Sequence, residues 1–177
     1  ILELLKKELV EEFYNDFKKV LVCFQNPRIY GRNPLENSSF IVSSAFSDKK
    51  LIGTGFVARL SGSTAEFLEI WLIMNVGDKP FFLDKEGKLN LEFKPKLVGW
   101  LFKKDGTYKF KFLGETEVVY HNPKRKNTFA KNGSRIRKII FSDKDGSIVK
   151  LESSVIPPPY AEQVRLGQIK KIDIYLE

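Results

Sequence analysis

The chain has 177 residues, of which 42% are hydrophobic and 29% are charged, and its formal net charge is +8. This composition excludes an intrinsically disordered chain, and no apolar run approaches the roughly 20 residues that a membrane-spanning helix needs. The length suits a single domain, residues 1–177, with its own hydrophobic core, and the lone cysteine, Cys23, excludes an internal disulfide.

Residues 1–25 are predicted to form one amphipathic helix. Apolar side chains recur at three- and four-residue spacing, which is the period of one helix face. They are Leu2, Leu5, Leu9, Phe13, Phe17, Val20 and Phe24. The helix is expected to end before Asn26-Pro27, because proline disfavours helical geometry in the residue that precedes it.

Residues 38–177 are predicted to form one large antiparallel sheet. Three turns, at residues 85–88, 103–107 and 144–147, carry a charged residue followed by glycine, which supplies the positive φ of a tight hairpin. The candidate strands are residues 39–46, 51–60, 66–75, 79–83, 88–94, 97–103, 107–113, 116–121, 135–142, 147–153 and 169–176.

One candidate strand, residues 66–75, is apolar on both of its faces. A sheet with one face in water should not contain such a strand, so we expect something to cover its second face. The cover would be the N-terminal helix, a ligand, or the segment 160–166, which follows three prolines. The prediction is an α+β domain: a strongly curved antiparallel sheet of about ten strands with the N-terminal helix on its concave face.

Residues that carry common catalytic and metal-binding chemistry are scarce. One histidine and one cysteine almost exclude a Cys/His zinc site and a Cys–His nucleophilic pair. His121 is expected to be an ordinary surface histidine, and there is no glycine loop of the phosphate-binding type. We therefore predict no enzymatic activity, no catalytic residue, no cofactor and no metal.

The positive charge is concentrated between His121 and Lys138, where the chain has seven basic residues and no acid. Proline, asparagine and glycine within this segment predict a flexible loop that runs into a strand. Its cations could neutralise the phosphates of a nucleic acid beside Phe129, attract an anionic lipid headgroup or an acidic partner, or form a merely solvated loop.

The order of elements and several short motifs resemble the LolA family of outer-membrane lipoprotein carriers. Residues 108–152 are similar to that family's rhythm of a strand, a glycine, a strand ending in Pro-Lys, a polar gap, and a strand–Asp-Gly–strand hairpin. Residues 82–95 resemble its strand–Gly-Lys–strand–Pro segment. In one departure, residues 68–71 contain no arginine, although the family's lid-holding arginine is expected there.

The resemblance implies an incomplete β-barrel whose concave side, covered by helices, forms a hydrophobic cavity for acyl chains. The implied function is that of a monomeric periplasmic carrier, or chaperone, which shields the acyl chains of a lipoprotein or lipid during transfer to the outer membrane. The implied partners are a membrane export machinery and an outer-membrane acceptor. A chain that begins at Ile1 is expected to be a processed form from which a signal peptide has been removed.

Candidate ligand-binding residues come from the apolar strands, with two helical phenylalanines as cover. Each acyl methylene buried among them would contribute about 0.8 kcal/mol. The candidates for this cavity are Phe13, Phe17, Phe40, Val42, Phe56, Leu68, Ile70, Trp71, Leu72, Met74, Leu91, Phe93, Phe110, Phe112 and Ile140.

The basic residues form a second candidate group, for a partner or an anion. They are Lys124, Arg125, Lys126, Lys131, Arg135, Arg137 and Lys138. The alternative prediction for the whole chain is a nucleic-acid-binding β-domain that uses residues 124–138. Its binding would weaken steeply as salt rises, because each neutralised phosphate releases counterions.

Overall fold

The computed structural model describes residues 1–32, 40–56 and 61–177, and the chain divides into two compact units, Ile1–Trp71 and Leu72–Glu177. The class is α+β, as predicted, and the described strands form three sheets with mostly antiparallel pairing. None of these sheets is closed or strongly curled, so the prediction of one strongly curved sheet, an incomplete β-barrel, is wrong. Within the described ranges, no helix has the length and apolarity needed to cross a membrane.

The first unit contains short helices, a two-stranded hairpin and the start of a longer helix. Its elements are α1 (Leu2–Lys6), α2 (Val10–Val20), α3 (Pro27–Tyr30), β1 (Phe40–Ile41), β2 (Gly55–Phe56) and the first part of α4 (Ser61–Asn75). The predicted single helix over residues 1–25 is interrupted, because Glu8 has a left-handed backbone with a φ of 59°. The break shifts the buried face, so that Val10 and Tyr14 are buried while Leu9 and Val20 are exposed.

The predicted strands 39–46 and 51–60 are much shorter than expected. Only β1 and β2 form within the described part, and residue 51 belongs to the 3-10 turn Lys49–Leu51. Residues 39 and 57–60 lie outside the described residues.

The predicted strand 66–75 is wrong, because these residues belong to α4. The segment is apolar on nearly all sides, so it shows neither the two-residue period of a strand nor the 3.6-residue period of a surface helix. In the structure the helix begins five residues earlier, at Ser61, and α4 has 15 residues in all. Since residues 66–75 are helical, they present no sheet face that needs a cover.

The second unit contains eight strands in two sheets and one short helix. They are β3 (Phe81–Leu83), β4 (Leu89–Glu92), β5 (Thr107–Phe112), β6 (Thr116–His121), β7 (Ile136–Ser142), β8 (Ile148–Leu151), β9 (Val155–Ile156), α5 (Tyr160–Arg165) and β10 (Lys171–Leu176). The turn glycines Gly87, Gly106 and Gly146 all have positive φ, as the hairpin prediction requires. The predicted strand 97–103 is wrong, since it contains a 3-10 turn, Gly99–Leu101, and β9 was not predicted.

The larger sheet has the strand order β5-β6-β10-β7-β8, and the smaller one has the order β3-β4-β9. β10 pairs in parallel with β6 and antiparallel with β7, so it lies at the centre of the larger sheet. One face of this sheet is buried in the core of the unit, through residues such as Tyr120, Ile139 and Ile174. The helix α5 buries Ala161 and Val164 in the same core, which confirms that segment 160–166 packs back over the sheet.

Candidate functional site

Most of the predicted cavity residues of the second unit lie in its hydrophobic core. Leu91, Phe93 and Phe112 are at most 1% exposed, and the ring centroids of the two phenylalanines lie 6.2 Å apart. Leu72 and Phe110 are partly buried against the same cluster. Neighbouring protein groups cover Leu91, Phe93 and Phe112 completely and the other two side chains in part, which is the environment of core residues.

Two other candidates of the second unit lie apart from that cluster. Ile140 is on the opposite face of the larger sheet, because its neighbours Ile139 and Phe141 are both buried in the core while Ile140 is half-buried and pairs with Asp173. Met74 is buried near the end of α4, where its carbonyl accepts a hydrogen bond from the backbone N–H of Lys96 at 2.8 Å.

Two tyrosines of the larger sheet form hydrogen bonds with Asn75, at the end of α4. The Tyr120 hydroxyl donates to the backbone carbonyl of Asn75 at 2.6 Å, and the Tyr108 hydroxyl donates to the Asn75 side-chain oxygen at 2.7 Å. Burial raises the pKa of both tyrosines, that of Tyr120 strongly. The two hydroxyls therefore stay protonated at neutral pH and act as hydrogen-bond donors in the structure.

The candidates of the first unit are divided between buried and exposed positions. Phe13 and Phe17 are buried on α2 with their ring centroids 5.2 Å apart, and Ile70 of α4 is also buried. Val42 and Trp71 are half-buried. Phe40, Phe56 and Leu68 are 55%, 48% and 62% exposed.

Of the ten large apolar side chains described as exposed in the first unit, five belong to α3 and to the β1–β2 hairpin with its connecting segment. Phe40 lies directly opposite Phe56 in the hairpin. The Arg32 side chain, just after α3, donates from Nε to the Gly55 carbonyl at 2.9 Å, which attaches α3 to β2. We call the resulting set the apolar hairpin surface, and its exposed members are Ile29, Phe40, Phe46, Leu51 and Phe56.

The seven predicted basic residues lie at one end of the larger sheet, together with two lysines that were not part of the prediction, Lys103 and Lys104. The turn before β5 and the segment between β6 and β7 lie at the same end of the larger sheet, as the hydrogen bond from Asn122 N to the Gly106 carbonyl (2.8 Å) shows. We call this end the basic edge, and its cations are Lys103, Lys104, Lys124, Arg125, Lys126, Lys131, Arg135, Arg137 and Lys138. Residues 103–107, 122–138 and 175–177 hold these nine cations and two acids, a net charge of +7 against +8 for the whole chain.

Buried polar side chains hold the backbone of the basic edge, where the sequence predicts a flexible loop. The Asn122 amide donates to the Lys126 carbonyl at 2.8 Å and accepts from the Ser134 hydroxyl at 3.0 Å. The Thr128 hydroxyl donates to the Pro95 carbonyl at 2.6 Å and accepts from the backbone N–H of Leu97 at 2.8 Å. The backbone that carries the cations is therefore tied to the core at both ends and in the middle.

Two glycines allow residues 99–106 to lie directly against residues 122–127. A Cβ at Gly99 would overlap the Arg125 carbonyl oxygen, and the Gly99 N–H donates to the Asn127 side-chain oxygen at 2.9 Å. A Cβ at Gly106 would lie 2.8 Å from the Asn122 carbonyl oxygen. This close approach places Lys103 and Lys104 among the predicted cations, a contact for which the sequence carries no local signal.

A row of side chains crosses the solvent-facing side of the larger sheet beside the basic edge. The His121 ring stacks on the Tyr175 ring with centroids 4.5 Å apart, and the Lys138 ammonium lies 4.6 Å from the centroid of the same ring. Since β10 lies between β6 and β7, the histidine and the lysine flank the tyrosine from opposite sides.

Asp173 connects this row to a second cation. Its carboxylate oxygens lie 2.8 Å from His121 Nε2 and 2.9 Å from Lys171 Nζ. Partial burial acts to raise the pKa of Asp173, but the hydrogen bonds from Lys171 and His121 outweigh it, so that the pKa lies below its ordinary value. His121, predicted as an ordinary surface histidine, thus has its ring nitrogen paired and its ring stacked.

Within residues 1–32, 40–56 and 61–177, no group of three or more His, Cys, Asp and Glu side chains could hold a metal ion. The candidate functional features of the described residues are an apolar surface in the first unit and a basic edge in the second. No protein-family model matches this chain, and no curated protein matches it, so the resemblance to the LolA family stays a prediction.

Proposed function

We propose that this protein is a non-enzymatic carrier that binds the acyl chains of a lipid or lipoprotein through the apolar hairpin surface. The observation that carries the proposal is the exposure of Ile29, Phe40, Phe46, Leu51 and Phe56 on one small local structure. Exposed apolar groups concentrated in this way mark sites for apolar ligands or partners. A monomeric carrier of the periplasm is the setting we propose.

The binding energy comes from removing apolar surface from water. An acyl chain that buries about eight methylenes against the hairpin would gain roughly 6 kcal/mol, before the entropy lost on binding is subtracted. Phenylalanine rings suit this role because they offer a large apolar area with few rotatable bonds. No nucleophile or acid–base group is required for such a site.

The proposal differs from the family resemblance in where the ligand binds. The LolA-type cavity requires a curled sheet, and the sheets described here are not strongly curled. Leu91, Phe93 and Phe112 are already covered by protein in the second unit. We therefore assign the acyl chain to the first unit, where comparable side chains are in contact with water.

A fluorescent fatty-acid probe tests the proposal directly. The double variant Phe40→Ser/Phe56→Ser is expected to weaken probe binding roughly 10- to 150-fold. Both rings are about half exposed, so an acyl chain would bury about half of each, which is roughly half of the 1.5–3 kcal/mol that a fully buried phenylalanine contributes. The matched control is Phe82→Ser/Leu83→Ser, which removes two consecutive exposed apolar side chains from β3 of the second unit. The absence of probe binding to the wild type, or equal weakening in both variants, would remove the proposal.

Nucleic-acid binding through the basic edge is the second candidate function. The net charge of +7 on three neighbouring segments favours it. It requires that the logarithm of the binding constant for an oligonucleotide fall linearly with the logarithm of salt concentration, with a slope set by the number of neutralised phosphates. Anisotropy titrations at two salt concentrations measure that slope, and the acyl-chain proposal predicts no such dependence for a fatty-acid probe.

A further inference from the structure

Trp100 lies beside the basic edge and has no role in the acyl-chain proposal. It belongs to the turn Gly99–Leu101, and it is 40% exposed. The hydrogen bond from Gly99 N–H to Asn127 holds this turn against the basic segment, and Lys103 and Lys104 follow directly. Tryptophan is characteristic of the membrane–water interface, because its ring is apolar while its N–H can be hydrated.

We propose that the basic edge together with Trp100 is a docking surface for an anionic lipid bilayer. Eight of its nine cations are exposed, and the ninth, Lys138, is half-buried on Tyr175. Of the two acids, Glu177 is 3.7 Å from Arg137, and Asp105 accepts hydrogen bonds from Thr107. Near an anionic membrane each lysine or arginine raises the partition constant about fivefold, which corresponds to about 1 kcal/mol.

The arrangement of aromatic rings favours a bilayer over a nucleic acid. Single-stranded nucleic acids bind to platforms on which successive bases stack, so several free ring faces are needed. Tyr175 is flanked by His121 on one side and by Lys138 on the other, and Phe129 is half-buried. A single exposed tryptophan beside many cations matches a headgroup layer, into which one ring inserts while the cations remain at the phosphate level.

This docking surface shares no residue with the apolar hairpin surface, because all of its residues belong to the second unit. Its anchoring by Asn122, Thr128 and Ser134, which are at most 6% exposed, holds the backbone that carries the cations of residues 124–138. A preformed surface of this kind loses less conformational entropy on docking than a flexible basic tail would.

Co-sedimentation with phosphatidylcholine vesicles, prepared with and without phosphatidylglycerol, tests the proposal on the full chain. Binding is expected only to the vesicles that contain phosphatidylglycerol, and it should weaken from low to physiological salt because screening shortens the range of the attraction. The Lys103→Gln/Lys104→Gln/Lys126→Gln variant should bind about 100-fold more weakly, as three fivefold factors multiply. Removing the same charge by Lys85→Gln/Lys144→Gln/Lys150→Gln should weaken binding less than about threefold, since these exposed lysines lie outside the edge.

The fluorescence emission of Trp100 provides a second test of the proposal. In a Trp71→Phe background Trp100 is the one remaining tryptophan, and its emission should shift to the blue on phosphatidylglycerol vesicles. Equal binding to neutral vesicles, equal weakening in the two lysine variants, or unshifted emission on bound protein would each overturn the proposal. If an oligonucleotide binds at the same salt concentration and the vesicles do not, the edge is a nucleic-acid site instead.

Discussion

Tyr120 carries a fully buried hydroxyl whose hydrogen bond ends on the carbonyl of Asn75. We expect Tyr120→Phe to lower the free energy of unfolding by about 1–3 kcal/mol, because a buried acceptor loses its partner. Urea denaturation measures this loss. Tyr175→Phe, at a half-buried position on the solvent-facing side of the same sheet, is the control and should change stability by less than about 0.5 kcal/mol. Similar losses in both variants would contradict the assignment of a buried, energetically important hydroxyl to Tyr120.

The lowered pKa of Asp173 predicts how the stability of the fold depends on pH. The pKa is lowered in the folded chain, so the charged carboxylate stabilises the fold above the ordinary value of 3.8. That contribution is lost as the pH falls from about 4 through the folded pKa, as the unfolded chain takes up the proton first. Urea midpoints measured across this range should fall less steeply for Asp173→Asn than for the wild type. Asp145→Asn, at an exposed turn, is the control and should parallel the wild type; parallel profiles for all three proteins would exclude this role of Asp173.

At the scale of elements, the packing of residues 99–106 on residues 122–127 depends on Gly99. We expect Gly99→Ala to destabilise the unit by about 1–3 kcal/mol, since a methyl group would overlap the Arg125 carbonyl and force the two segments apart. The variant should also be cleaved faster by trypsin after residues 124–126, which limited proteolysis would show.

Gly87→Ala provides the comparison for this variant. Gly87 has a φ of 76°, and no atom lies within 4 Å of the position that a Cβ would take there, so its substitution strains only the backbone of an isolated turn. The expected cost is about 1 kcal/mol, without faster cleavage at residues 124–126. If both variants show the same rate of cleavage there, the two segments do not depend on each other as we infer.

Elements whose determinants are local could be predicted from the sequence. The turns at Gly87 and Gly146 follow from a charged residue and a glycine between strands, and both join the strands that were expected. The identity of α4 was missed, because an apolar run without a clear period fits a strand or a buried helix equally well. The strand order could not be predicted either, because a hairpin turn determines only the pairing of its own two strands. It carries no information on the position of β10 in the sheet.

At the scale of the whole molecule, the position of the basic residues was easier to predict from the sequence than the position of the proposed acyl-chain site. The seven clustered cations of residues 124–138 do lie together, because they are close in sequence. Lys103, Lys104 and Trp100 join them only through the contacts of Gly99 and Gly106, which no pattern in the sequence indicates. The predicted cavity residues share apolar character, which does not distinguish a core such as Leu91 and Phe93 from an exposed surface such as Phe40 and Phe56.

The division into two units predicts that the two proposed binding activities can be separated. The described residues of the second unit's core cluster all belong to Leu72–Glu177, so a chain of residues 61–177, which keeps α4 intact, is expected to fold cooperatively. Thermal unfolding followed by circular dichroism measures this. The shortened chain should bind vesicles that contain phosphatidylglycerol as the full chain does, and it should lose binding of the fatty-acid probe.

Each contrary result of this truncation removes one inference. Failure of residues 61–177 to unfold cooperatively would show that the second unit needs the first for its stability. A folded fragment that no longer binds the vesicles would exclude the basic edge and Trp100 as a sufficient docking surface. A folded fragment that still binds the fatty-acid probe would exclude the apolar hairpin surface as the acyl-chain site, because Ile29, Phe40, Phe46, Leu51 and Phe56 are all absent from it.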